Sequence, residues 1–204
     1  MKPNEPKDNS TFVLKSSLRI KALRELQAPV VMETHGGFGK LYDRCYSHLR
    51  QGVVFETNPE KTAKLARQRP DWAVYEADCL MALRAGVGSH LPVNFLDLDP
   101  YGEPWPVLDA FLESRRSPDQ LVLVVNDGLR PSLKMNGGWH VKSLQAVVER
   151  LGNFGLYEKY LEIAQDLVKD KAGKVGYSLT RWTGYYTGHA GQMTHYAAVL
   201  ERRS

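Results

Sequence analysis

Five short apolar runs punctuate the first two thirds of the chain, each followed by a polar or glycine-bearing break and then by a stretch with helical spacing. Val30 to Met32, Val53 to Phe55, Ala73 to Tyr75, Val93 to Leu98 and Leu121 to Val125 are rich in β-branched or aromatic residues and read as strands. Helical segments separate them. The clearest are about Lys40 to Leu49, a helix opening at Asn58-Pro59 with proline in its first turn, and Trp105 to Ser114. Ahead of the first strand, Leu18, Ala22, Leu23 and Leu26 share one face of a helix that Ser16 or Ser17 would cap and that runs to about Gln27. Trp139 to Leu151 and Leu156 to Lys169 read as two further helices. The last third changes character: Gly176 to Tyr186 and Met193 to Leu200 alternate and carry β-branched and aromatic residues, with Gly188 to Gly191 as turn chemistry between them. The pattern predicts an α/β domain with a parallel, doubly wound sheet, helices on both faces and a closing antiparallel hairpin.

At 204 residues, 43% of them hydrophobic and 25% charged, the chain has the size and composition of one globular domain. Residues 1–12 read as a flexible N-terminal tail by composition, leaving 13–204 as that domain. No apolar run approaches the ~20 residues that a bilayer crossing needs, and the polar N-terminus has no leader pattern. A cytoplasmic protein with no membrane partner is therefore expected. Cys45 and Cys79 have no ligand spacing and read as reduced thiols, and His35 and His140 also lack ligand partners, so no metal is assigned. A net charge of +4 favours an anionic partner only weakly.

Candidate chemistry collects where the strands end. Glu33-Thr34-His35-Gly36-Gly37-Phe38-Gly39 follows the first strand, and its glycines let the backbone approach a ligand. Glu56 ends the second strand, placed to accept both ribose hydroxyls of a nucleotide. Asp78, just past the third strand, can accept a hydrogen bond from an adenine amino group. A dinucleotide is disfavoured, because the loop is not G-x-G-x-x-G and Glu33 would repel a pyrophosphate. A ligand with a cationic sulfonium and a free amino group would welcome that carboxylate. The bland alternatives are that Glu33 caps a helix and that Gly36-Gly37 is an ordinary turn.

The most informative stretch is Leu96-Asp97-Leu98-Asp99-Pro100-Tyr101-Gly102-Glu103-Pro104, an apolar strand that ends in carboxylates and turns sharply. With the glycine loop in hand, the chain resembles a class I S-adenosylmethionine-dependent methyltransferase from about residue 28 to the end. Glu33, Gly37 and Gly39 match that family's acidic-x-Gly-x-Gly-x-Gly motif, and His35 replaces its first glycine. Asp99-Pro100-Tyr101 is similar to the Asp/Asn-Pro-Pro-Tyr signature of amino-methyltransferases. The longer string through Pro104, Pro106, Leu108, Asp109 and Ala110 is similar to the tRNA guanine N2-dimethyltransferases.

The resemblance implies a Rossmann-like sheet, mostly parallel with an antiparallel terminal hairpin, and S-adenosyl-L-methionine as cofactor. Glu33, His35, Gly37, Gly39, Glu56, Asp78 and Asp97 would line the cofactor site, with Asp97 structural or on the methionine amine. Asp99 would accept one N–H of an exocyclic amine, the Pro100 carbonyl the other, and Tyr101 would stack on an extruded base. Tyr101, Trp105, Asn126, Arg130 and Trp139 would contact substrate, in a segment where basic and aromatic residues interleave as a nucleic-acid strand requires. The expected activity is N-methylation of a base in RNA or DNA. A small-molecule or protein nitrogen as acceptor, or a non-catalytic nucleotide-binding module, is the alternative.

Overall fold

The computed structural model describes residues 11–203 apart from Tyr101, Arg115, Ser117, Gly137 and Trp139 and the side chain of Asn136. Seven strands form one sheet: β1 (Val31–Glu33), β2 (Gly52–Glu56), β3 (Ala73–Glu76), β4 (Phe95–Leu98), β5 (Gln120–Asp127), β6 (Tyr177–Thr187) and β7 (Met193–Arg202). Their order is β3-β2-β1-β4-β5-β7-β6. Every pairing from β3 to β5 is parallel, and β7 inserts antiparallel between β5 and β6. Chain direction across the sheet reverses between β1 and β4, and in such sheets ligands bind at the carboxyl edge of that switch point.

The helices are α1 (Phe12–Leu23), α2 (Pro59–Gln68), α3 (Cys79–Arg84), α4 (Trp105–Leu112), α5 (Arg130–Asn136), α6 (Gln145–Glu158) and α7 (Tyr160–Lys174). Local chemistry sets their ends. Asn58 Oδ1 accepts the Lys61 amide at 3.0 Å to open α2, and Asp78 Oδ1 accepts the Met81 amide at 2.9 Å to open α3. Alternate residues of the buried strands feed two cores. Val31, Val54, Phe95 and Val124 pack toward α1, while Met32, Phe55, Leu96 and Val125 pack toward the helices of the opposite face.

Three expectations about local structure change. The first helix begins at Phe12, before Ser16 and Ser17, and the Ser16 hydroxyl donates back to the Phe12 carbonyl at 2.8 Å instead of capping. Of the segment read as a tail, residues 1–10 lie outside the described residues. The helix expected over 40–49 is a π-helical turn, Tyr42–Tyr46. The stretch from Trp139 opens instead with a 3-10 turn at Lys142–Leu144, and α6 then runs to Glu158 through a break at Gly152, where φ is +67° and the helix cannot continue.

A polar layer lies between α1 and the sheet. β4 points Phe95 and Asp97 to the same face, so Asp97 is wholly buried beneath α1. Arg19 of α1 meets it side-on: Nε donates to Oδ2 at 2.7 Å, Nη2 pairs with Oδ1, and the Tyr46 hydroxyl donates to Oδ2 at 2.6 Å. A buried charge persists only when paired and hydrogen-bonded in this way. Arg19→Ala leaves Asp97 charged and unmatched, and is expected to lower stability by ~3–5 kcal/mol in urea unfolding. Replacing both partners with apolar residues of similar volume, Arg19→Met with Asp97→Leu, is expected to recover part of that loss.

Candidate active site

The carboxyl edge of β1, β2 and β3 is built around the loop after β1. The Gly36 amide donates to the Phe55 carbonyl at 3.0 Å, and the Gly37 amide donates to Glu56 Oε2 at 2.9 Å. The other oxygen of Glu56 accepts the Asn58 amide at 2.9 Å, so one carboxylate ties the first loop to the second. Gly37 holds φ +52° and a Cβ there would meet nothing within 4 Å, as suits backbone open to a ligand. Gly36 is a glycine for packing: a Cβ would come within 2.5 Å of Val54 and 2.6 Å of Leu65. Gly39 likewise turns toward α2, against Gln68.

His35 is half-buried in this loop. Its Nδ1 lies 2.8 Å from the Thr34 hydroxyl and its Nε2 lies 3.9 Å from Cys79 Sγ. Burial lowers its pKa and keeps the ring neutral, against the opposing pull of Asp99, Asp97, Glu56 and Asp78. Glu56 and Asp78 form no ion pair among the described residues, which leaves that half of the edge acidic.

Glu33 and Asp97 do not face the cleft. Strand parity turns both toward the α1-side core, where Glu33 is buried in an ion pair with Arg69. The Arg69 guanidinium in turn stacks on Tyr42 at 4.3 Å and lies 5.2 Å from Trp72. A ligand ammonium can reach neither carboxylate without breaking a buried pair. Of the two roles open to Asp97, the geometry is that of the structural one.

Asp99 sits one step beyond β4, at the boundary between that layer and solvent. Its Oδ1 accepts from Lys15 Nζ at 3.0 Å and from Asn126 Nδ2 at 2.9 Å, and Oδ2 receives a longer contact from Lys15 at 3.3 Å. Burial alone would raise the Asp99 pKa; Arg19, Lys15 and the Asn126 amide outweigh it and hold it below the usual carboxylate value. Pro100 is half-buried beside it, and Tyr101 lies outside the described residues.

The residues expected on substrate fare differently. Asn126 is wholly buried and holds Asp99 instead. Trp105 is a correction: it has no exposed surface and packs in the core under α4, where it can touch no substrate. Arg130 is another. Its guanidinium lies between the rings of Tyr157 at 4.2 Å and Tyr186 at 3.7 Å, and donates to the Gly191 carbonyl, so it pins the tip of the closing hairpin. Trp139 lies outside the described residues.

Sequence reading missed Lys15, Arg19 and His195. The first two fall on the apolar stripe of α1 that continues through Ala22, and a cation on such a stripe was the available signal. His195 faces Asn126 across the β5–β7 pairing and meets Tyr185 edge-on with ring centres 5.5 Å apart. It is fully buried with neither ring nitrogen hydrogen-bonded among the described residues. Burial, reinforced by Lys15 and Arg19, pushes its pKa down to about 4, so it is neutral.

A seven-stranded sheet of this order, with an antiparallel β7 and charged groups at the β1–β4 edge, is the class I methyltransferase fold. No protein-family model matches the chain. It is 28% identical over 119 residues to the tRNA (guanine(26)-N(2))-dimethyltransferase of Thermoplasma volcanium, a match covering 58% of this chain and 35% of that protein. The chain thus spans about a third of the length of that curated relative. Trm1 from Pyrococcus horikoshii, solved with S-adenosyl-L-methionine, superposes with a TM-score of 0.68 at 15% identity, over 96% of this chain and 55% of that one. TYW2 from M. jannaschii, solved with AdoMet, gives 0.58 at 13% identity over 98% and 79%. NodS from Bradyrhizobium japonicum, solved with S-adenosyl-L-homocysteine, gives 0.62 at 8% identity over 97% and 90%. At these identities the structural likeness is one of fold.

A second carboxyl, Asp127, ends β5 on the opposite face. It accepts the Leu129 amide at 2.8 Å and the Tyr160 hydroxyl at 2.5 Å, yet burial pushes its pKa up to about 7. The unfolded value is ~4, so between these limits the native state holds a proton that the unfolded chain releases. Its contribution is present below the unfolded value and is lost as pH rises toward the folded one. Between pH 5 and pH 8, wild type is expected to lose ~2–3 kcal/mol more stability than Asp127→Asn, measured by urea unfolding.

Proposed function

We propose that the protein is an S-adenosylmethionine-dependent N-methyltransferase acting on the exocyclic amine of a base in RNA. The observation that carries this reading is Asp99: an oriented carboxylate at the switch-point edge, held ionised and one-fifth exposed, with a half-buried proline after it. The edge beside it fits the cofactor. Glu56 and Asp78 stand at consecutive strand ends as acceptors for ribose hydroxyls and an adenine amine, and Gly37 offers open backbone between them. Gly39 and His35 frame the same loop. When bound, that cofactor supplies an electrophilic methyl group on a sulfonium.

The chain's own residues do the rest by positioning. An exocyclic amine is a poor nucleophile because its lone pair is delocalised into the ring. Asp99 accepts one N–H, which raises electron density on the nitrogen, and it is the nearest acceptor for the proton released as the new N–C bond forms. The Pro100 carbonyl accepts the second N–H, and Tyr101 supplies a ring on which the base stacks. The name of the curated relative supports a tRNA-like acceptor. So does the composition of the segment after β5, which exposes Met135 and Phe154 at 75% and 78% and also exposes Lys134, Lys142 and Arg150. On this reading residues 13–204 form a single catalytic domain.

Purified protein with methyl-labelled S-adenosylmethionine is expected to label tRNA transcripts. Asp99→Ala is expected to reduce the rate by ~100-fold or more while cofactor affinity stays within about threefold. Retention of transfer by Asp99→Ala would remove Asp99 from the mechanism, and no label on any RNA would remove the substrate. Glu56→Ala should weaken cofactor binding by about tenfold or more in calorimetry, because it deletes a charged acceptor.

A further inference from the structure

The acceptor carboxylate already has a cation on it. Lys15 Nζ and Asn126 Nδ2 both converge on Asp99 Oδ1, while among the described residues Oδ2 receives only the longer Lys15 contact, so Oδ2 is the oxygen left for an acceptor. Lys15 is held there by more than this pairing. Its carbonyl accepts Arg19 Nη1 at 3.2 Å, one helical turn on, and Arg19 is fixed on Asp97. The Tyr185 hydroxyl donates to the Leu14 carbonyl at 3.0 Å, pinning the same turn of α1. Arg19 Nη1 also reaches Asn126 Oδ1 at 3.4 Å, which orients that amide with its NH2 toward Asp99.

Charge around Asp99 is consequently balanced. Lys15 and Arg19 on α1 face Asp99 and Asp97 on the β4 side, Asn126 of β5 is uncharged, and His35 and His195 are neutral rings whose pKa values burial lowers. A carboxylate in this state still accepts a hydrogen bond from a neutral N–H. A second cation brought to Oδ2 would instead lie within a few ångströms of Lys15, in a partly buried site where like charges repel strongly.

We propose that Lys15 is a specificity-determining residue, which by pairing with Asp99 admits an uncharged, ring-borne amine and rejects a protonated alkyl ammonium. This rests on the N-methyltransferase reading and narrows its acceptor: side-chain ammonium groups and polyamines are excluded, exocyclic amines of bases are admitted. The chemistry agrees with the selection. A ring-borne amine is neutral near pH 7 and keeps two N–H donors, whereas an alkyl amine near pH 7 is almost wholly protonated and has no lone pair to receive a methyl group.

The test is a binding comparison on cofactor-free protein, with the carboxyl carbon of Asp99 observed by NMR and n-propylammonium chloride as the probe. Wild type and Lys15→Arg are expected to show no saturable shift. Lys15→Met is expected to bind the probe at least about tenfold more tightly, because the resident cation is gone. Lys15→Gln provides the same comparison should Lys15→Met fail to fold. Equal affinity in wild type and the uncharged variant would overturn the proposal, as would wild-type methylation of n-propylamine at a rate matching RNA. Failure of wild type to methylate any RNA would count against the function reading instead, and the binding comparison would still decide the role of Lys15.

Discussion

A guanidinium buried without solvent contact, Arg19 on Asp97, joins the N-terminal helix to the end of β4. Geometry at the edge follows from it. With Arg19 fixed, the preceding turn of α1 brings Lys15 onto Asp99, and the same guanidinium orients Asn126. Such a pair contributes modest net stability, because desolvation offsets most of the Coulomb attraction. Its stronger effect is on arrangement: a helix tied down by a buried ion pair has one register on the sheet, and a slipped register would leave two buried charges unmatched.

The edge that results has two halves of different character. Across β2 and β3, Glu56 and Asp78 are acidic groups without cationic partners among the described residues, suited to the hydroxyl and amino donors of an adenosyl group. At the end of β4, Asp97 and Asp99 are each matched by a cation from α1, and the neutral amide of Asn126 from β5 flanks Asp99. Cofactor and acceptor would therefore meet different electrostatics a short distance apart. A fold shared with many methyltransferases does not dictate that division, and the side chains of α1 do.

Strand positions, the closing hairpin and the placing of carboxylates at strand ends were legible because they rest on local signals: apolar runs, turn residues and proline or asparagine at helix starts. Which carboxylates point outward was not. Glu33 and Asp97 lie two residues past Val31 and Phe95 on strands so short that one step of parity separates cleft from core. Lys15 and Arg19 were missed for another reason. Their place on the apolar stripe of α1 was the one local signal, and their partners lie 84 and 78 residues away, so it did not say which acid each would meet. Trp105 and Arg130 sit in segments whose composition suits a nucleic-acid surface, yet Trp105 packs against the sheet and Arg130 against tyrosines of α6 and β6.

The most direct test of the whole account is a calorimetric titration of the intact protein with S-adenosyl-L-methionine beside NAD. Saturable binding of the sulfonium compound at one site per chain, with no heat from NAD, is the result this geometry predicts. Binding of NAD, or of neither compound, would contradict the reading of the β1–β3 edge as an adenosyl site and would leave the Asp99 carboxylate without a methyl donor.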